Sequence, residues 1–130
     1  MEERKANDDI RDLGFETMID KTFSAAVMVA DANKSAKWFE ENLGFDTSIK
    51  GHWVTAWPKG STSKLHLCQG KTEPGNTGIA FYSQDVEKTA AEMKKKGVKF
   101  SMDVAKRGSS SMAMFEDIDG NIYWLRQGEP

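Results

Sequence analysis

The feature that most limits how this chain can fold is a unit that occurs twice: an apolar strand, an aspartate, an amphipathic segment and a glycine. In the first unit Asp31 precedes the amphipathic segment, which either Asp31 or Asn33 can cap, and Gly44 ends it. In the second, Asp85 and Gly97 follow their counterparts by 54 and 53 residues. Aspartate is a preferred helix N-cap, and glycine tolerates the left-handed conformation in which many helices end. The repeat therefore indicates an internal duplication of a strand and a helix.

Each helix is followed by enough chain for three more short strands. We expect these strands near residues 46–50, 53–57 and 64–68 in the first half, and near 98–102, 112–115 and 122–127 in the second. The sequence thus predicts an α+β fold of two tandem βαβββ modules within one domain over residues 21–130. We expect module one at about 22–69, a linker at about 70–76 and module two at about 77–127. The alternative is an unrelated α+β domain whose two units match by chance.

The N-terminal extension, residues 1–20, is expected to be a short docking helix around Ile10, Phe15 and Met18, or to be partly disordered. It is too charged for a signal peptide, and no segment of the chain reaches the roughly 20 apolar residues of a membrane span. The single cysteine, Cys68, cannot form an internal disulfide. We therefore expect a soluble, cytoplasmic protein that does not bind a membrane.

The charge balance argues against nucleic acid as a partner. The chain has 18 basic and 20 acidic side chains and a net charge of -2. Nucleic-acid binding depends on a positive field, which this composition does not supply. The densest basic run, Lys94 to Lys96, precedes Gly97, where cations complement the negative end of a helix.

Two stretches resemble the vicinal oxygen chelate superfamily, which includes glyoxalase I, bleomycin-resistance proteins, fosfomycin-resistance enzymes and extradiol dioxygenases. VADANKSAKWFEENLGF is similar to its first strand and helix, and MFEDIDGNIYWLRQ is similar to its C-terminal hairpin, with Ile118 in place of the usual proline. The resemblance covers about residues 22–127. It implies curved mixed sheets around a concave cup, usually in a homodimer, and many different functions on that one scaffold.

The resemblance also implies positions at which metal-dependent members of the family carry their ligands. The two ligands near the starts of the modules fall on Ser24 and Gly78, and the C-terminal glutamate falls on Trp124. Glycine has no side chain, indole offers only an N–H donor, and serine is a weak neutral ligand. A shifted alignment would place Asn76 or Thr77 at the second position, and neither restores a histidine. We therefore expect no cofactor and no metal.

The alternative is a divalent metal such as Zn, Ni, Mn or Fe held by a rearranged set of ligands. His66 is the one first-module replacement that the sequence offers, with Glu116 or residues of a partner subunit completing the site. Catalytic zinc sites use about three protein ligands, so His66 alone does not make one. A thiolate–imidazole pair of Cys68 and His66 is a further, weaker possibility.

Period-two alternation along the strands predicts which side chains line the cup. Small residues are expected at its floor and large ones on its walls, with Arg126 anchoring an anionic group and Glu116 as its counter-charge. Residues 107–111 are expected to form a polar loop that either covers the cup or is only a connection. The alternative for each aromatic residue or methionine is a dimer interface or a dry core. The expected ligand-binding residues are Met28, Trp53, Trp57, His66, Tyr82, Met112, Met114, Trp124 and Arg126.

These features together predict a metal-independent, homodimeric binding protein of the glyoxalase/bleomycin-resistance type that holds a small aromatic or amphipathic organic molecule. One alternative is a glyoxalase-related lyase or a dioxygenase-like metalloenzyme with non-standard ligands, so whether the chain catalyses a reaction stays open. A second alternative is an effector-sensing or interaction subunit.

Overall fold

The protein consists of two βαβββ modules in the computed structural model, which describes residues 17–128. The first sheet has the strand order β1-β4-β3-β2 and the second β5-β8-β7-β6. In each sheet the first strand pairs parallel with the last and the remaining pairs are antiparallel. The predicted α+β fold of two tandem modules is thereby confirmed. The elements are β1 (Ser24–Val29), α1 (Ala32–Leu43), β2 (Asp46–Lys50), β3 (Trp53–Trp57), β4 (Lys64–Gln69), β5 (Gly75–Tyr82), α2 (Val86–Lys95), β6 (Phe100–Arg107), β7 (Ser110–Glu116) and β8 (Asn121–Gln127).

Two connections differ from the expectation. β5 begins at Gly75, inside the segment expected to be a linker. The expected loop at residues 107–111 is only a short turn, because β6 runs to Arg107 and β7 begins at Ser110. Ser110 and Ser111 are buried, so this segment does not form a cover.

The N-terminal extension is described only from residue 17. The parts of the expected docking helix around Ile10 and Phe15 lie outside the described residues. Met18 and Ile19 are described; they are exposed and lie in no helix. Among residues 17–128 no helix is long and apolar enough to cross a membrane.

Both helices begin as the sequence predicts. The carboxylate of Asp31 accepts from the backbone N–H of Lys34 at 3.0 Å, and that of Asp85 accepts from the N–H of Lys88 at 3.1 Å. Gly44 ends α1 in the left-handed conformation, with φ of 68°. The repeated aspartates are therefore N-caps that satisfy otherwise unpaired helical N–H groups.

A second sequence repeat contacts the N-termini of the same two helices. Each module's last strand closes with Leu-x-Gln-Gly, LCQG at 67–70 and LRQG at 125–128. The side-chain carbonyl of Gln69 accepts from the N–H of Ala32 at 2.9 Å, and that of Gln127 accepts from the N–H of Val86 at 2.8 Å. The end of each last strand is thus bonded to the start of its own module's helix.

A single apolar core joins the modules. The ring of Phe39, from α1, meets the ring of Tyr123, from β8, edge-on with centroids 6.1 Å apart. Phe45 meets Phe81 in the same manner at 5.3 Å. Aromatic pairs in this arrangement add to the stability that burial alone provides.

The hairpin between β7 and β8 is organised around the buried carboxylate of Asp117. Its Oδ1 accepts from the backbone N–H groups of Asp119 at 2.8 Å and Asn121 at 3.0 Å. Its Oδ2 accepts from the amide of Asn121 at 3.0 Å and the hydroxyl of Tyr123 at 2.7 Å. Burial, followed by the charge of Asp117, raises the pKa of Tyr123 above its ordinary range, so the phenol remains a donor. Four donors satisfy the carboxylate, which is otherwise costly to bury.

The same hairpin is attached to the first module. The amide of Asn121 also donates to the carbonyl of Met28 at 3.0 Å, and the N–H of Ala30 donates to Oδ1 of Asp119 at 3.2 Å. The C-terminal turn therefore holds the end of β1 in place.

Replacing Tyr123 by Phe is expected to lower the free energy of unfolding by about 1–3 kcal/mol, because the buried carboxylate of Asp117 loses a donor. Urea unfolding measures this change. Tyr82→Phe is the matched control, since Tyr82 is exposed, and is expected to change the stability by less than about 0.5 kcal/mol. Equal effects of the two substitutions would contradict the role given to Tyr123.

Gln127→Ala is expected to cost about 1 kcal/mol, because the N–H of the fully buried Val86 loses its acceptor. Gln84→Ala, at an exposed position beside the same helix, serves as the control. Amide exchange at Val86 is the more specific measurement: unchanged protection of that N–H in the Gln127 variant would show that the contact contributes nothing.

Candidate functional site

Each sheet packs one face against the core and leaves the other open, and we call the latter the open face. In the first module Val27, Val29, Leu65 and Leu67 are buried in the core. The alternate side chains of β1 and β4 therefore lie on the open face. Together with the matching residues of β3, the first open face carries Ser24, Ala26, Met28, Trp53, Thr55, Trp57, His66 and Cys68.

An aromatic stack occupies this first open face. The ring of Trp53 lies over that of His66, with centroids 4.0 Å apart and planes 33° apart. The ring of Phe23 lies 6.2 Å from that of Trp53 and is nearly parallel to it, at 15°. Phe23 remains 66% exposed and Trp53 39% exposed. Such partly exposed, roughly parallel rings offer a surface for dispersion and stacking with a flat molecule.

Phe23 was missed by the sequence reasoning. It stands immediately before β1, where strand alternation does not determine the direction of a side chain. The signal that the sequence offered was an aromatic residue directly before the first residue of β1.

A depression of about 760 Å³ lies beside the stack and is lined entirely by the first module. Trp53, His66 and Cys68 contribute to its wall, and so does His52, an exposed residue of the turn before β3. Trp57 lies at the other end of its strand, where the ammonium of Lys64 sits 4.2 Å from the centre of its ring.

The second open face has side chains in three rows that the strand register defines. Tyr123 and Leu125 are buried, so Trp124 and Arg126 point to the opposite side, as the alternation predicts. The rows across β5, β8 and β7 are Asn76, Ile122 and Glu116; Ala80, Trp124 and Met114; and Tyr82, Arg126 and Met112.

Arg126 is positioned by its neighbouring tryptophan rather than by a carboxylate. Its guanidinium lies 5.9 Å from the centre of the Trp124 ring, within the range of a cation–π contact. Arg126 forms no ion pair with any residue from 17 to 128, so the expected pairing with Glu116 is wrong. Glu116 lies two rows away along the strand register. The guanidinium therefore retains donors for an anionic group.

The positions that would carry metal ligands do not provide them. Gly78 lies at a bulge in β5 with φ of 75°, a conformation that side-chain-bearing residues rarely adopt. The neighbouring polar groups are already engaged: Thr77 donates its hydroxyl to the carbonyl of Ile122 at 2.8 Å, and Asn76 accepts from the N–H of Gly78 at 2.9 Å. Across the described part of the chain, no three or more His, Cys, Asp or Glu side chains are close enough to hold a metal ion. The residues present do not fit a glyoxalase-type metal.

The nine predicted ligand-binding residues thus fall into two groups. Met28, Trp53, Trp57 and His66 lie on the first open face, and the other five lie on the second. Trp53 and His66 both line the depression beside the aromatic stack, whereas Trp124 does not line it. Their role in binding a ligand remains a prediction.

Comparisons with protein families and solved structures identify the same fold of two modules. The family model of the glyoxalase/bleomycin resistance protein/dioxygenase superfamily matches residues 21–125. The uncharacterized protein YetH of Bacillus subtilis (strain 168) is 27% identical over 120 residues, which are 85% of this chain and all of YetH.

Two solved structures share the fold. TnmS3, an antibiotic binding protein from Streptomyces sp. CB03234, is 27% identical and superposes with a TM-score of 0.76 over 88% of this chain and all of its own. A member of the same superfamily from Sphaerobacter thermophilus DSM 20745 is 24% identical, with a TM-score of 0.78 over 86% of this chain and all of its own. With two βαβββ modules and a family match over most of its length, the chain belongs to the glyoxalase/bleomycin resistance protein/dioxygenase superfamily.

Proposed function

We propose that this protein binds a flat or amphipathic organic molecule on its open faces and does so without a metal. The observation that carries the proposal is the stack of Phe23, Trp53 and His66, which presents partly exposed rings on a surface that monomeric proteins usually keep polar. The similarity to TnmS3, described as an antibiotic binding protein, supports binding rather than catalysis.

The second open face complements the first. Met112 and Met114 flank Trp124 and Arg126 across the strands, and thioethers adapt their shape to varied apolar ligands. Arg126 supplies a cation beside an aromatic ring, which suits a ligand that has both a conjugated system and an acidic group.

We further propose that the complete site forms in a homodimer, with the first open face of one copy opposite the second open face of its partner. The first-module depression has no lining from module two of its own chain. Phe23 and Tyr82, one from each open face, are 66% and 71% exposed. A second copy would cover these rings and close the site around the ligand, as expected for pockets that surround most of a small molecule.

Trp124→Ala is expected to weaken the binding of a planar aromatic ligand about tenfold or more, because it removes a stacking surface and exposes Arg126. Trp124→Phe keeps an aromatic ring and is expected to lose much less. The ligand is found by heat-stability screening of planar and amphipathic compounds, and its affinity is measured by equilibrium dialysis.

The methionine methyl groups give an independent readout of the binding position. Ligand binding is expected to shift the carbon-13 methyl signals of Met28, Met112 and Met114. If no compound raises the melting temperature and these methyl signals never move, the binding function is wrong.

Protein purified without chelator is expected to contain less than stoichiometric Zn, Ni, Mn or Fe, because the ligand positions are occupied by Ser24, Gly78 and Trp124. Elemental analysis measures the metal content directly. Treatment with EDTA followed by dialysis is expected to leave ligand affinity unchanged. One equivalent of tightly held metal, lost together with ligand binding, would instead favour a metalloenzyme.

A further inference from the structure

We infer that a cavity at the seam between the two modules is a second ligand site, which takes a small aryl carboxylate. The cavity has a volume of about 390 Å³. It is lined mostly by core-facing side chains and by residues of the two helix-end segments, and of the open-face residues described above it shares Tyr82. This inference does not depend on the proposed function, because apart from Tyr82 the two sites use different surfaces of the sheets.

The base of the cavity is aromatic and comes from both modules. Phe45, from the first module, meets Phe81 at 5.3 Å, and Phe81 faces Phe115 at 6.3 Å with planes 25° apart. Met93 and Leu125, each at most 5% exposed, complete the apolar wall. The space bordered by these three phenyl rings opens to solvent at its rim. It falls within the range of small-molecule sites, roughly 300–1,000 Å³.

The rim of the cavity is polar and carries a fixed cation. Lys96 donates from its ammonium to the carbonyl of Glu41 at 3.0 Å, which ties α2's end to the C-terminal turn of α1 across the seam. The ammonium has three donors, so this bond leaves two of them. Within the described residues Lys96 has no carboxylate within 4 Å.

Hydroxyl groups provide a second anchor at the rim. Ser83 Oγ and Thr89 Oγ1 lie 2.8 Å apart, so one hydroxyl donates to the other and the accepting group keeps its own proton for a ligand. Glu92 also lines the rim, but it is exposed, and none of residues 17–128 forms a hydrogen bond or ion pair with its carboxylate. The amide of Asn42 at the rim is held by its bond to the carbonyl of Trp38 at 3.0 Å. Lys96 and the hydroxyl pair are the fixed groups with donors to spare, and the chemistry that they recognise is an anionic acceptor.

The combination of base and rim determines the class of ligand. One or two aromatic rings would pack against Phe45, Phe81 and Phe115, while a carboxylate would accept from Lys96 and from the hydroxyl pair. Charge-assisted hydrogen bonds at the edge of an apolar pocket give both affinity and orientation.

2-Naphthoate is a suitable probe, and the neutral 2-naphthalenemethanol is its matched comparison. In full-length protein labelled with carbon-13 at the methionine methyl groups, 2-naphthoate is expected to shift the Met93 signal saturably. The signals of Met28, Met112 and Met114 report binding of the same probe to the open faces, so they test the proposed function separately from the Met93 signal. The alcohol is expected to bind at least fivefold more weakly than the acid.

Lys96→Gln is expected to lower the affinity for 2-naphthoate, measured from the Met93 signal, at least fivefold. Lys96→Arg is expected to keep that affinity within about twofold. Lys95→Gln removes the same charge from an exposed neighbour that does not line the cavity, and is expected to have no effect. The inference is overturned if Met93 does not respond, if only the open-face methyl groups respond, or if the acid and the alcohol bind equally well. Each of these outcomes is obtained with the unmodified protein, so none depends on a variant that folds.

Discussion

The buried carboxylate of Asp117 fixes the turn from which β8 leaves and thereby the direction of the side chains on the second open face. Its four hydrogen bonds all come from residues 119–123, so they fix the turn and the direction in which β8 leaves it. Once Tyr123 donates to this carboxylate, Trp124 and Arg126 must point away from the core because successive strand residues alternate. The open face of module two thus follows from a polar interaction beneath it.

The duplication has kept the framework of the two modules and changed their open faces. Asp31 and Asp85 cap the helices in the same way, and Gln69 and Gln127 occupy equivalent places at the ends of β4 and β8. Counting back from these glutamines, His66 and Trp124 are also equivalent. An imidazole and an indole therefore replace each other at one structural position, which is how a single scaffold acquires different recognition surfaces.

Much of the fold and part of the site could be predicted from the sequence, because both depend on local rules. Paired aspartates and glycines indicate the helices, and alternation assigns Tyr123 and Leu125 to the core and Trp124 to the open face. The rest depends on long-range geometry. The stacking of Phe23 on Trp53 requires the path of the chain before β1. The contact of Arg126 with Trp124 instead of Glu116 requires the register of β7 against β8. The seam cavity requires the packing of Phe45 against Phe81, residues that are remote in sequence.

The bulge at Gly78 makes this position unsuitable for a metal ligand for a reason beyond the identity of its side chain. The left-handed backbone there is poorly suited to histidine or glutamine, and the adjoining Thr77 hydroxyl substitutes for a ladder contact to β8. A Cβ added at Gly78 would meet no atom within 4 Å, so the obstacle to a histidine there is the backbone conformation and not a lack of space. A glyoxalase-type ligand at this position, whether obtained by selection or by engineering, would first require a change in the path of β5 and only then a change of side chain.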